Sequence, residues 1–115
     1  MVVLRSALDP ASPSFGANRD AMAALEVIRA VRQTYPQAHL TMGLSNISFG
    51  LPARSYINRA FLTLALQAGL DSAIIDPLDR ELIAALTAAT LVLGRDRHCL
   101  NYTRAYRAGL LGEKP

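Results

Sequence analysis

The residues best suited to chemistry lie in one run, Gly43-Leu44-Ser45-Asn46-Ile47-Ser48-Phe49-Gly50-Leu51-Pro52. Asn46 is the most informative position, although asparagine is also common in turns and at helix caps. Ser45 and Ser48 can meet a ligand or close a loop turn. Arg54 can meet an anion or sit solvated at a helix start. Asp9 and Asp76 each precede a proline, which suits turns and N-caps as well as ligand binding. Several familiar chemistries are missing. Gly43-Leu44-Ser45-Asn46-Ile47 begins like a nucleophile elbow but ends in isoleucine instead of glycine. No glycine-rich phosphate loop occurs. His39, His98 and Cys99 lack zinc spacing, and they read as a strand-edge histidine and a helix-packed pair.

These residues need a scaffold, and composition bounds it. The chain has 115 residues, 51% apolar and 18% charged, which excludes disorder and allows one domain with a core. One cysteine cannot form an internal disulfide and fits a reducing cytoplasm. No run approaches the roughly 20 apolar residues of a membrane span. The net charge of +3 is mild, arginine-borne and dispersed, with a modest cluster at Arg95, Arg97, Arg104 and Arg107 beside Tyr102 and Tyr106. That gives a nucleic-acid role little support.

The patterning alternates. Residues 2–4 are a candidate strand, and 9–16 form a loop with two prolines and a glycine. Asn18 can cap a helix whose stripe is Met22, Leu25, Ile28, Val31 and Tyr35, with Arg32 on another face. Pro36 ends it. Residues 40–44 read as a strand, 55–68 as a helix closed by Gly69, and 72–75 as a strand buried on both faces. Asp76-Pro77 should open the next helix as N-cap and N1, with Leu78 in its core stripe and Gly94 as its stop. A last helix should cover 97–108. Strands alternating with helices imply a parallel sheet with right-handed crossovers. The loops at 9–16, 45–52 and 76–79 then share the carboxyl end of the sheet, where α/β proteins bind ligands.

The 43–52 run does not stand alone. With Ile57-Asn58-Arg59-Ala60-Phe61-Leu62, Ala68-Gly69-Leu70-Asp71-Ser72-Ala73-Ile74-Ile75-Asp76-Pro77, Leu93-Gly94-Arg95-Asp96, Cys99-Leu100-Asn101-Tyr102 and Ala105-Tyr106-Arg107-Ala108-Gly109 it strongly resembles the methyltetrahydrofolate:corrinoid-protein methyltransferases. These belong to the pterin-binding superfamily, with dihydropteroate synthase and the folate domain of cobalamin-dependent methionine synthase. Dihydropteroate synthase carries a Ser-Arg-Lys type sequence where this chain has Ser45, Asn46 and Ile47, and Lys114 is the only lysine here.

The resemblance covers residues 18–111 and implies an α/β fold, the C-terminal part of a (β/α)8 barrel with two to three βα units and a closing helix. Residues 1–17 match poorly, and 112–115 are a tail. Such barrels take at least about 200 residues, so the barrel is expected to be incomplete here. A truncated reading frame, a homodimer or a complementing barrel segment would account for that. The implied reaction moves the N5-methyl group of methyltetrahydrofolate to the cobalt of a corrinoid (cobalamin) held by a partner protein, leaving tetrahydrofolate. Asn46 matches the asparagine that polarises N5. Gly43 and Ser45 would floor the pterin site, Arg54 would lie near it, Ile74 would wall it, and Asp9 matches a pterin-binding carboxylate. No metal ligand is expected in this chain, and no membrane or nucleic acid among its partners. The alternative is a non-catalytic remnant or interaction module of the same family.

Overall fold

The computed structural model describes the backbone of residues 13–112 and the side chains from 19 onward; the candidate strand at 2–4 and Asp9 lie outside the described residues. The first helix, α1, is Pro13–Thr34. It starts five residues before the expected cap, so Asn18 is interior. Proline suits the first helical position because its fixed φ is helical and its missing N–H has no partner there. Ile28 is buried and Leu25 half-buried, but Met22 and Tyr35 are exposed, so the buried stripe is shorter than the spacing predicts.

Strand β1 (Thr41–Gly43) pairs in parallel with β2 (Ser72–Ile74), with Thr41 opposite Ser72 and Gly43 opposite Ile74. Helix α2 (Arg54–Ala68) crosses between them, as the β-loop-α-β order implies. The core is Leu44, Phe61, Leu62, Ala65, Leu66, Leu70 and Leu82 with Ile28, all buried. Burying each large side chain here contributes about 1.5–3 kcal/mol. Met42, Ala73 and Ile75 turn toward that core, while Thr41, Ser72 and Ile74 are exposed. Among the described residues one sheet face is therefore open, which corrects the expected burial of 72–75 on both faces.

Helix α3 (Arg80–Val92) begins later than Asp76-Pro77 predicts. Asp79 is the N-cap, its carboxylate accepting from the Leu82 amide at 3.0 Å. Asp76 closes a turn by accepting from the Leu78 amide at 2.9 Å, which leaves Leu78 outside the helix and exposed. Gly94, at φ +73°, stops α3 as expected. A 3₁₀ turn, Arg97–Cys99, leads into α4 (Leu100–Arg107). His98 and Cys99 both have left-handed backbone and are exposed, so they are not the helix-packed pair the sequence implies. Asp96 holds that turn, accepting from the amides of Asn101 and Tyr102, each at 2.9 Å.

The opposite ends of the strands meet at Arg32. Its guanidinium donates to the carbonyls of Gly69 (2.8 Å), Ala38 (2.7 Å) and Pro36 (3.0 Å) and to the Asp71 carboxylate. Asp71 also accepts from the Leu40 amide at 2.7 Å. Gly69 has φ +121°, and a Cβ there would come within 2.8 Å of Arg32 Cγ. Gly69→Ala should therefore destabilise the fold by about 1–3 kcal/mol, read by urea denaturation. The Leu40 amide, with Arg32, lowers the Asp71 pKa below its ordinary 3.8, against an opposing effect of burial. The stabilisation is complete above the unfolded value and is lost as pH falls through the lowered folded one. Asp71→Asn should flatten the acid limb of a plot of melting temperature against pH; an unaltered limb would refute this role.

Candidate active site

At Gly43 β1 runs directly into a 3₁₀ turn, Leu44–Ser48. Gly43 has ordinary extended backbone (φ −79°, ψ 122°), and an added Cβ would meet only the Asn46 amide nitrogen, at 3.7 Å. Among the described residues neither conformation nor crowding demands glycine there.

The turn is held from behind by Arg54. Its Nη2 donates to the Ser45 carbonyl at 2.6 Å and its Nε to Ser48 Oγ at 3.0 Å. The fully buried Ser48 hydroxyl donates in turn to Asn58 Oδ1 at 2.7 Å. The Arg54 guanidinium also lies 5.9 Å from the centre of the Phe49 ring. Ala53, just before α2, is held left-handed at φ +50°, a conformation that costs a non-glycine residue about 1–2 kcal/mol. The loop is thus tightly fixed, and Arg54 is already engaged in fixing it.

The end of β2 faces this turn. Ile74, Ile75 and Asp76 line a cleft of about 430 Å³ together with Leu44, Ser45, Arg54, Asn58 and Asp79. That volume lies within the range of small-molecule sites. Below Asp79, Arg59 pairs with the Asp79 carboxylate at 3.5 Å and with Glu81 at 2.7 Å. Of the sequence-predicted residues, Ser45, Arg54 and Ile74 come together in the cleft. Gly43 and Asn46 flank the lining pair Leu44 and Ser45 in the chain but do not themselves line the cleft, and Asn46 is exposed. Asp9 lies outside the described residues. Ser48 and Asn58 were not singled out as a pair, because nothing in their spacing marks a bond across a turn and a helix. Chemically the cleft offers an apolar wall at Ile74 and hydrogen-bonding groups around it, an arrangement that accepts a flat ring with polar edges. Among the described residues no three of His, Cys, Asp or Glu gather as metal ligands, and no helix is long and apolar enough to cross a membrane.

The chain is 48% identical over 85 residues to the methylcorrinoid:tetrahydrofolate methyltransferase of Eubacterium limosum. This similarity supports the methyltransferase family. It covers 74% of the chain and 31% of that relative, so the chain spans about a third of its length. Methionine synthases of Mycobacterium tuberculosis and Mycobacterium leprae are 48% and 44% identical over 59 residues, half of this chain and 5% of each relative. No protein-family model matches.

The buried serine gives a test of the loop support. Ser48→Ala leaves Arg54 Nε and Asn58 Oδ1 without their shared partner and should cost about 1–3 kcal/mol. Ser45→Ala should cost far less, because that residue uses its backbone carbonyl in the network. Equal denaturation midpoints for the two variants would exclude the network as a support of the loop.

Proposed function

We propose that this chain is the C-terminal portion of a pterin-binding barrel that moves a methyl group between N5 of methyltetrahydrofolate and a corrinoid held by a partner protein. The observation that carries the reading is the meeting of Leu44 and Ser45, in the turn that holds Asn46, with Ile74 across one cleft at the strand ends. The relatives' names supply the reaction class, and on this reading other strands complete the wall. The E. limosum name runs from methylcorrinoid to tetrahydrofolate, the reverse of the direction that the sequence reading implies. Both directions share one transition state, so they make the same demand on the residues here.

That demand is at N5. Displacing the methyl from a tertiary amine leaves electron density on nitrogen, and protonation or hydrogen bonding there must strengthen as the bond breaks. The Asn46 amide has an acceptor and donors and can serve N5 in either protonation state. It positions and polarises; it cannot be the proton source. Ile74 supports a ring face, and Gly43 leaves room for close approach. The corrinoid supplies the cobalt that gives or takes the methyl group. Arg54 acts through the loop, keeping Ser45 and Asn46 where the turn presents them.

Asn46→Ala, measured by single-turnover kinetics in the completed barrel, should slow methyl transfer by about 10²–10³, while pterin affinity falls less. A normal rate in a folded variant would remove Asn46 from the reaction. Gly43→Ala should keep the fold, since its Cβ makes an ordinary contact, and should weaken binding in a methyltetrahydrofolate titration. Unchanged affinity would count against the pterin floor.

A further inference from the structure

The cleft divides its hydrogen-bonding groups by type. On the α2 side stand Arg54 and Asn58, four residues apart and so on one face of the helix. On the side of β2 and α3 stand Asp76 and Asp79. Both carboxylates accept through Oδ1, Asp76 from the Leu78 amide, Asp79 from the Leu82 amide and Arg59. Among the described residues Oδ2 of each has no partner. The α2 wall therefore offers N–H donors, and the opposite wall offers acceptors.

Asn58 offers a donor because its amide is held one way round. An asparagine amide has an acceptor end and a donor end, and turning it over exchanges them. Ser48 sets the turn. Arg54 Nε can only donate, so Ser48 Oγ accepts from it at 3.0 Å and still has its own proton to give. Asn58 Oδ1 is the nearer acceptor at 2.7 Å, a usual length for O–H···O. The Ser45 carbonyl is farther, at 3.2 Å, and already takes Arg54 Nη2 at 2.6 Å. Oδ1 thus faces the buried hydroxyl, and Nδ2 is the end left over. The one buried, unpaired side-chain nitrogen or oxygen among the described residues is Arg59 Nε. Asn58 Nδ2, which has no partner among them, is therefore accessible, and on a cleft-lining residue it opens into the cleft.

Resting on the methyl-transfer reading above, we infer that Asn58 is a specificity residue whose Nδ2 donates to the 4-carbonyl oxygen of the pterin and selects 4-oxo over 4-amino pteridines. Position 4 and N5 are neighbours on one edge of the bicyclic ring, so the group that meets O4 must stand beside the group that meets N5. Asn46 belongs to the turn that ends at Ser48, and Asn58 is bonded to that same serine. O4 carries no hydrogen, which suits the donor wall and not the carboxylate wall. A 4-amino group would set N–H against N–H and leave both donors unpaired, which costs more than a missing contact. O4 is not the atom that takes up charge as the methyl leaves. The bond is therefore equally strong in the ground state and the transition state, and it acts on affinity rather than rate.

The 115-residue chain, labelled with ¹⁵N, is titrated with methyltetrahydrofolate, with folic acid and with 4-amino-folic acid. NMR follows the Asn58 side-chain amide and the backbone amides of Ser45 and Asn46 separately. Methyltetrahydrofolate should shift all three, and folic acid should bind about tenfold more tightly than its 4-amino analogue. Exchange at position 4 also removes the hydrogen on N3, so the change of preference between wild type and variant is the measure. Asn58→Asp keeps the acceptor for Ser48 and replaces the donor with an acceptor. It should move the preference by about tenfold or more toward the 4-amino analogue. Asn58→Ala should weaken folic acid and leave no preference, with a urea midpoint to show that each variant is folded. Gln67→Glu, which adds the same charge to α2 away from the cleft, should alter the preference less than about twofold. A preference unchanged in both Asn58 variants, with Ser45 and Asn46 still responding to methyltetrahydrofolate, overturns the role of Asn58 and spares the pterin site. No response at any of the three residues removes the pterin site, and the role of Asn58 with it.

Discussion

One guanidinium organises the stable end of this fold. Arg32 reaches from the last turn of α1 to the carbonyls that follow it and to the residues that introduce β2. Asp71, which it meets, also takes the Leu40 amide just before β1. Two strand starts and one helix end are thereby fixed through a planar group with five N–H donors. Lysine could not replace it, because a single ammonium cannot address carbonyls on several sides with a fixed fork. Gly69 is the complementary constraint, since only a residue without Cβ lets the arginine stem lie against the backbone there.

With the strand starts held in this way, the strand ends are left for recognition. The two ends use different physics. At Arg32 the polar groups are saturated by one another. At the cleft the loop is fixed from below by Arg54, Ser48 and Asn58, and its upper side keeps unengaged groups. The left-handed Ala53 belongs to this end, where local strain is held by surrounding contacts. α/β barrels commonly divide stability and chemistry between the two ends of their strands in this way.

Much of the scaffold was legible in the residue pattern. The crossover helix with its terminal Gly69, the parallel pairing and the stop at Gly94 follow from periodicity, chain order and glycine chemistry. The start of α3 did not, because Asp76 and Asp79 are both good caps three residues apart. Only tertiary structure decides that the first closes a turn and the second caps the helix. Arg32 was hidden because periodicity records where a Cβ points, whereas this side chain reaches well beyond its own face. The apolar run at 72–75 suggests burial on both faces, but its second face lacks a cover among the described residues. In the site, the resemblance marks Ser45, Arg54 and Ile74, which share a cleft. The Ser48–Asn58 bond depends on a turn geometry that no spacing rule encodes.

The order of packing along the chain bears on how the polypeptide reaches this state. α1 rests on α2, α2 on α3, α3 on α4, and β1 pairs with β2, so the packed elements are near neighbours in sequence. Little loop-closure entropy is spent before such contacts begin to form. The arginine clamp is among the more distant of these links, joining residues 37 positions apart. During synthesis, the unit from α1 through β2 can therefore begin to consolidate once residue 74 has emerged, before α3 and α4 have emerged.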